Sequence, residues 1–395
     1  VISGSSIDGR GEVGFRTRIG ANGSASFFST SIDGDDPTTA TVVEQSSIAG
    51  VEMQGNTAVS MGLLATTDSL LDNSISSGNL ITNAEDGVRV TGNGQFSMNT
   101  GLITNIVATG IELSPTTPAT AIDASATLDS VIISAIGDVG IRSIGGGSNG
   151  GGGVSLISSR ISTVGDTTAG TGRGIDARNV GDFGSGASIL VQDSAIQNIG
   201  ELGIFVSDSN LRVENSQIIS TGDFGIESNA ASTTFINQSR INGVGVGIQA
   251  IAGSNAADAI SFGPAPLGAA NQRNRITIRN NRIAADSNGI NLQGAITSTA
   301  GATATDPATI DTQSILEGDI RGNQIDATTP ITLVTQNGIV GPSETTTTTT
   351  TGAPPVTTTV TTPAQPPQVT GGLITADGRP QGLIITANNR TGLQN

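Results

Sequence analysis

The side chains that most often do chemistry are missing from this chain. Its 395 residues include no His, Cys, Tyr or Trp, and all 17 basic residues are Arg. Without imidazole, amine, thiol or phenol, the common general bases, Schiff-base amines and thiol nucleophiles are lacking. Zinc, iron and copper centres built on imidazole or thiolate are excluded too. Carboxylates, guanidinium groups and hydroxyls remain, so we expect no enzyme, no catalytic residue, no cofactor and no metal site.

Two groupings of these remaining groups invite a chemical reading. Asp35 and Asp36 are adjacent after Gly34, and paired carboxylates can hydrolyse a glycosidic bond. The same stretch, Asp33 to Pro37, reads equally as a solvated turn, with Gly and Pro in turn roles. Arg273, Arg275, Arg279 and Arg282 form the one basic concentration. It could meet an acidic glycan or an acidic neighbouring subunit. Alternation in RITIR puts Arg273, Arg275 and Arg279 on an outer face, where solvation beside Asp and Glu is the plainer reading.

The net charge of −16 repels nucleic-acid phosphates, and nine Phe are the only aromatic rings. No apolar run reaches the length of a membrane-spanning helix. The opening VISGSSIDGRGEV has neither the basic nor the apolar part of a signal peptide. A composition without Lys and rich in Thr, Ser, Gly and Asn points to an exported protein at the cell surface.

The elements that position these groups come from a repeat. Ser-x-Ile recurs at Ser194/Ile196, Ser216/Ile218 and Ser239/Ile241, and Gly-Ile follows at Gly203, Gly225 and Gly247. The period is about 22 residues, which marks a repeat architecture. Gly followed by an apolar residue also occurs at Gly14, Gly62, Gly87, Gly110, Gly140, Gly174 and Gly289. Ile7, Ile81, Ile103, Ile132, Ile161 and Ile283 precede these pairs, and Ile325 precedes Pro330-Ile331. Apolar residues alternate in short runs such as Leu211-x-Val213 and Ile276-x-Ile278, the period of a half-buried strand. Breakers every few residues forbid helices. Stacked turns would align the isoleucines into one core, and about 12 turns are expected. Gly before each Ile is expected to take a positive φ at a corner. Ser159, Ser194, Ser216, Ser239, Asn281 and Asn323 are expected to form a hydrogen-bonded ladder.

This unit resembles the right-handed parallel β-helix repeat of pectate-lyase-like proteins. The resemblance implies an all-β, right-handed solenoid over residues 1–340, and it fits surface and adhesin members better than enzymes. Gly34-Asp35-Asp36 is similar to one short polygalacturonase motif. The His and Lys motifs of that family have no counterpart, nor does the calcium-binding carboxylate cluster of pectate lyases. A polysaccharide-degrading enzyme is therefore the third reading.

Long insertions at 145–153, 180–187, 253–272 and 296–314 fall between a Gly-Ile strand and the next Ser-x-Ile, so they should project from one side. Residues 341–370 form a Thr/Pro-rich linker with no means of packing a core. Residues 371–395 carry a detached β-segment: Gly372-Leu373-Ile374 and Gly382-Leu383-Ile384-Ile385 echo the repeat. The linker could span roughly 90 Å if extended. The segment would serve as a donor strand for a neighbour or as a cap on its own chain.

We expect an extracellular structural subunit of a filament or sheath. It would assemble head-to-tail with itself, through the solenoid ends and exchange of the C-terminal strand. Leu373, Ile374, Leu383, Ile384, Ile385, Ile7 and Phe15 are the expected subunit contacts. The alternative is a monomeric surface adhesin, similar to an autotransporter passenger, binding a ligand such as a glycan through its loop side.

Overall fold

Short alternating strands cannot bury a face alone, and the chain meets this need by coiling. The computed structural model describes residues 2–3, 6–9, 13–16, 22–28, 31–34, 49–54, 56–62, 79–92, 94–114, 124–145, 152–166, 170–178, 180, 189–219, 222–229, 232–243, 245–252, 273–294, 315–335, 345–349, 356–360, 368–369 and 383–388. All regular structure among them is strand, so no described helix is long and apolar enough to cross a membrane. The fold is a parallel β-helix.

Each coil lays strand on three faces, A, B and C in chain order, as separate strands in most coils and as continuous strands in Asn79–Thr91, Gln95–Ser114 and Ser125–Ile136. The first coil supplies Ile2–Ser3, Ser6–Gly9 and Val13–Arg16. A regular middle coil supplies Asn210–Glu214, Gln217–Ile219 and Phe224–Asn229. The last supplies Ile315–Arg321, Gln324–Asp326 and Thr329–Thr335. Ten successive parallel pairings on face A join eleven coils among the described residues. The expected count of about 12 allowed for turns hidden in the long intervals. Among the described residues no extra coil intervenes at the longest interval: Val246–Ala252 pairs directly with Asn288–Gly294.

Two positions are corrected. Gly62 ends the A-face strand Asn56–Gly62 and is not a C-face corner. That role belongs to Gly50, whose neighbours Ala49 and Val51 pair with Val13 and Phe15. Ile132 is paired with Arg160 and only half-buried, whereas Ile133 points inward beside Ile103 and Ile161. A slip of one residue along a strand reverses the face.

The core is built of columns. On face B, Ile7, Ile32, Ile81, Ile103, Ile133, Ile161, Ile196, Ile218, Ile241, Ile283 and Ile325 are successive Cα partners. Ile196, Ile218 and Ile241 are fully buried. Each such side chain contributes about 1.5–3 kcal/mol relative to exposure.

The glycines before the C-face column do not take a positive φ, contrary to expectation. Close approach of the coils requires them instead. A Cβ on Gly203 would lie 2.5 Å from the Gly225 carbonyl oxygen and 2.7 Å from Cγ2 of Ile218. The same clash recurs at Gly110, Gly174, Gly225 and Gly247, always against the following coil.

Thr345–Thr349 and Val356–Val360 pair antiparallel as a separate two-stranded sheet. Their β-branched residues favour extended, paired backbone.

Candidate functional site

The corner from face A to face B is built from two residues in every regular coil. The first is left-handed: Ser158, Asp193, Asn215, Gln238, Asn280 and Gly322 have φ between 47° and 64°. The second is the buried Ser or Asn of the expected ladder. The backbone N–H of Ser159 donates to Ser194 Oγ (3.0 Å), and that of Ser194 to Ser216 Oγ (3.1 Å). Ser216 N–H donates to Ser239 Oγ (3.1 Å). Ser239 N–H donates to Asn281 Oδ1 (2.8 Å), and Asn281 N–H to Asn323 Oδ1 (2.9 Å). Each side chain thus satisfies a buried donor that the left-handed turn removes from the sheet ladder.

A second, shorter ladder escaped the sequence reading. At the corner from face C to face A, Val180 N–H donates to Ser209 Oγ (2.9 Å) and Ser209 N–H to Ser232 Oγ (3.2 Å). Asn274 Nδ2 then donates to the Ser228 and Ile251 carbonyls (2.9 and 3.0 Å). The intervals that hold 180–187 and 253–272 separate its members irregularly, which hid the period. All four expected insertions leave from this corner.

The two expected charge groupings fare differently. Asp35 and Asp36 lie outside the described residues. The arginine cluster divides at the two-residue corner. Arg273, Arg275 and Arg279 stand on face A, where Asn274, Ile276 and Ile278 between them are buried. Arg279 pairs with Asp319 on the next coil at 2.5 Å. Arg282 starts the B-face strand beyond the corner.

A column of alternating charge runs along face C. Arg16, Glu52, Arg89, Glu112, Arg142 and Asp176 are successive Cα partners, alternating in sign. Arg16 pairs with Glu52 at 2.5 Å, and Arg89 bridges Asp86 and, at 3.7 Å, Glu112. Phe205 continues the column with Arg173 and Arg178 over its ring, 4.9 and 5.2 Å from the centroid. Burial pushes the Glu112 carboxyl above its ordinary range. The Asp86 carboxylate adds to this, and Arg89 and Arg142 oppose it. Burial opposes, and the neighbouring carboxylates outweigh it, in holding the Arg89 and Arg173 guanidinium groups further up. The signal was present in sequence as the residue after each Gly-apolar pair, read down the repeat. Among the described residues no three Asp or Glu side chains gather at metal-ligating distance.

The expected subunit contacts sit at opposite ends. Ile7 and Phe15 belong to the first coil, where Phe15 is half-buried against the core. Leu383, Ile384 and Ile385 lie in Leu383–Asn388, which pairs antiparallel with Ile315–Arg321 of the last coil. Gln368–Val369 pairs with the same strand at Thr386 and Ile385. Leu373 and Ile374 lie outside the described residues. Ten coil spacings of about 4.8 Å separate the two groups by about 48 Å.

The last coil also departs from the glycine rule. Its C-face corner residue is Pro330, placed next to Gly289 by the Ile290–Ile331 pairing. A Cβ at this column points at the carbonyl of the following coil, as Gly247 shows against Gly289 at 2.6 Å. Pro330 carries that Cβ, so a further coil cannot seat flush on face C. Compared with family models, curated proteins and solved structures, the chain matches none.

Proposed function

We propose that the protein is a non-enzymatic, extracellular structural subunit. It is a rigid rod that joins copies of itself by exchange of the C-terminal strand. The observation that carries this reading is the seat of Leu383–Asn388. It makes six antiparallel residue pairs with Ile315–Arg321, though residues 336–382 intervene after the last coil. A strand tethered that way adds equally well to a neighbour's coil, since the hydrogen bonds are main-chain and sequence-independent. Such a head-to-tail contact does not close on itself and yields filaments. Pro330 at the glycine column supports strand addition over flush stacking of whole coils. The cell-surface location rests on the Lys-free, Thr- and Ser-rich composition.

Negative-stain microscopy and sedimentation of the full chain, beside a variant lacking residues 341–395, test the reading. Filaments that lengthen with concentration and vanish in the truncated variant are expected. A full chain that stays monomeric at high concentration, or filaments indifferent to the truncation, would refute it. The second reading, a monomeric surface adhesin displaying its loops to a glycan, draws on the gathering of the long insertions at one corner. A stable monomer that binds a glycan through those loops would favour it.

A further inference from the structure

The outside of the two-residue corner holds an unneutralised pair of cations. Arg240 and Arg282 are direct Cα partners on adjacent coils, and both are exposed. Like charges directly opposite in a sheet repel. Eight other arginines, Arg16, Arg89, Arg142, Arg173, Arg178, Arg212, Arg279 and Arg321, are ion-paired, and Arg160, exposed on the same face B, has no acidic partner among the described residues either. Arg240 and Arg282 have no acidic partner among the described residues, in a chain with sixteen excess negative charges. The pair flanks a shallow cavity of about 300 Å³ whose other exposed walls are the amides of Asn215, Gln217, Gln238 and Asn280. No carboxylate lines it.

The site is held in place by the ladder beneath it. The Arg240 N–H donates to the Ser216 carbonyl and the Arg282 N–H to the Ser239 carbonyl, both at 2.9 Å. Gln217, Arg240, Arg282 and Gln324 form one register column along the solenoid axis, spaced about 4.8 Å apart. The geometry points to a linear, carboxylated polysaccharide lying along this column. The two planar guanidinium forks would take its carboxylates, and the flanking amides its hydroxyls.

Other polyanions fit less well. A peptide gains affinity from unpaired strand backbone. At this corner the N–H groups of Asn215, Gln238 and Asn280 already donate to the next coil. A nucleic acid needs a dense cationic track and stacking rings, and the chain has a net charge of −16 with no Tyr or Trp. This site is separate from the strand-exchange contact and does not depend on it.

The test is affinity electrophoresis of the full chain in polygalacturonate, dextran sulfate, neutral dextran or a thymidine oligonucleotide. Circular dichroism accompanies it to verify folding. The expected result is retardation by polygalacturonate that weakens with salt, and none by neutral dextran. The double variant Arg240→Gln/Arg282→Gln should bind at least about tenfold more weakly, having lost two charge-assisted contacts. Arg212→Gln, which removes an exposed arginine outside the cavity, should bind as the parent does. Absence of retardation by polygalacturonate, or equal retardation of the folded double variant, overturns the proposal. Stronger binding to dextran sulfate or to the oligonucleotide overturns the carboxylate assignment.

Discussion

Two corners of the same coil obey different rules. From face A to face B the connection is two residues in each regular coil: 158–159, 193–194, 215–216, 238–239, 280–281 and 322–323. From face C to face A it ranges from residues 208–209 to residues 295–314, while the strands on either side stay in register. In those coils the spacing is enforced at the first corner by a left-handed residue and a buried polar partner, whereas in the third coil residues 63–78 separate Asn56–Gly62 from Asn79–Thr91 at the same corner. At the second corner a shorter ladder of buried donors, from Val180 to Ser232, covers some coils, and the paired strands alone hold the register elsewhere. Length varies there at little cost, because loop closure costs grow only slowly with loop length.

The contrast can be broken most violently at a position belonging to neither corner. Gly225→Val places a Cβ 2.6 Å from the Gly247 carbonyl oxygen and 2.6 Å from Ile241 Cγ2. Backbone must move in every coil above, so a loss of more than about 4 kcal/mol is expected. Limited proteolysis and circular dichroism would register it as failure to form the central coils.

At the two-residue corner, Ser216→Ala should cost about 1–3 kcal/mol, because the buried Ser194 N–H loses its acceptor. Chemical denaturation measures this. A loss below a few tenths would mean that the ladder is ornament and that both corners are governed by the strands alone.

The charged column on face C predicts a pH effect of smaller size. Glu112 titrates above its unfolded value, so the folded state keeps a proton that the unfolded chain has released. Stability from this group is full below the unfolded carboxyl range and falls as pH rises through the folded value. Melting temperatures followed from acid toward neutral pH should show that decline, and Glu112→Gln should flatten it.

Gln238 holds a left-handed φ of 51° that costs a non-glycine residue about 1–2 kcal/mol. Gln238→Gly should therefore raise stability, by about 0.5 kcal/mol after the entropy that glycine loses. At the loop corner, halving 253–272 should change stability by no more than about 0.6 kcal/mol. If the shortened loop destabilised the protein more than Ser216→Ala does, the comparison would be reversed.

Much of the fold was legible because each coil repeats one local pattern. Ile196, Ile218 and Ile241 face inward as their alternation required, and Ser159 to Asn323 stack as their spacing required. The glycine column was found for the wrong reason. Its sequence position is visible, but the carbonyl of the following coil that forbids a Cβ is not. Ile132 was chosen over Ile133 because both are apolar and either register satisfies the local pattern. The C-terminal segment was legible as a repeat-like strand, but not the seat that Leu383–Ile385 take on the last coil.

The sequence by itself determined the period, the strands, the inward isoleucines and the buried Ser and Asn corner, since all are properties of neighbours along the chain. Tertiary structure alone decided which side chains meet between coils. It set Arg240 against Arg282, Glu112 between Arg89 and Arg142, and Pro330 at the glycine column. Those partners are separated by loops of unequal length, so only the hydrogen-bonded register of stacked strands brings them together.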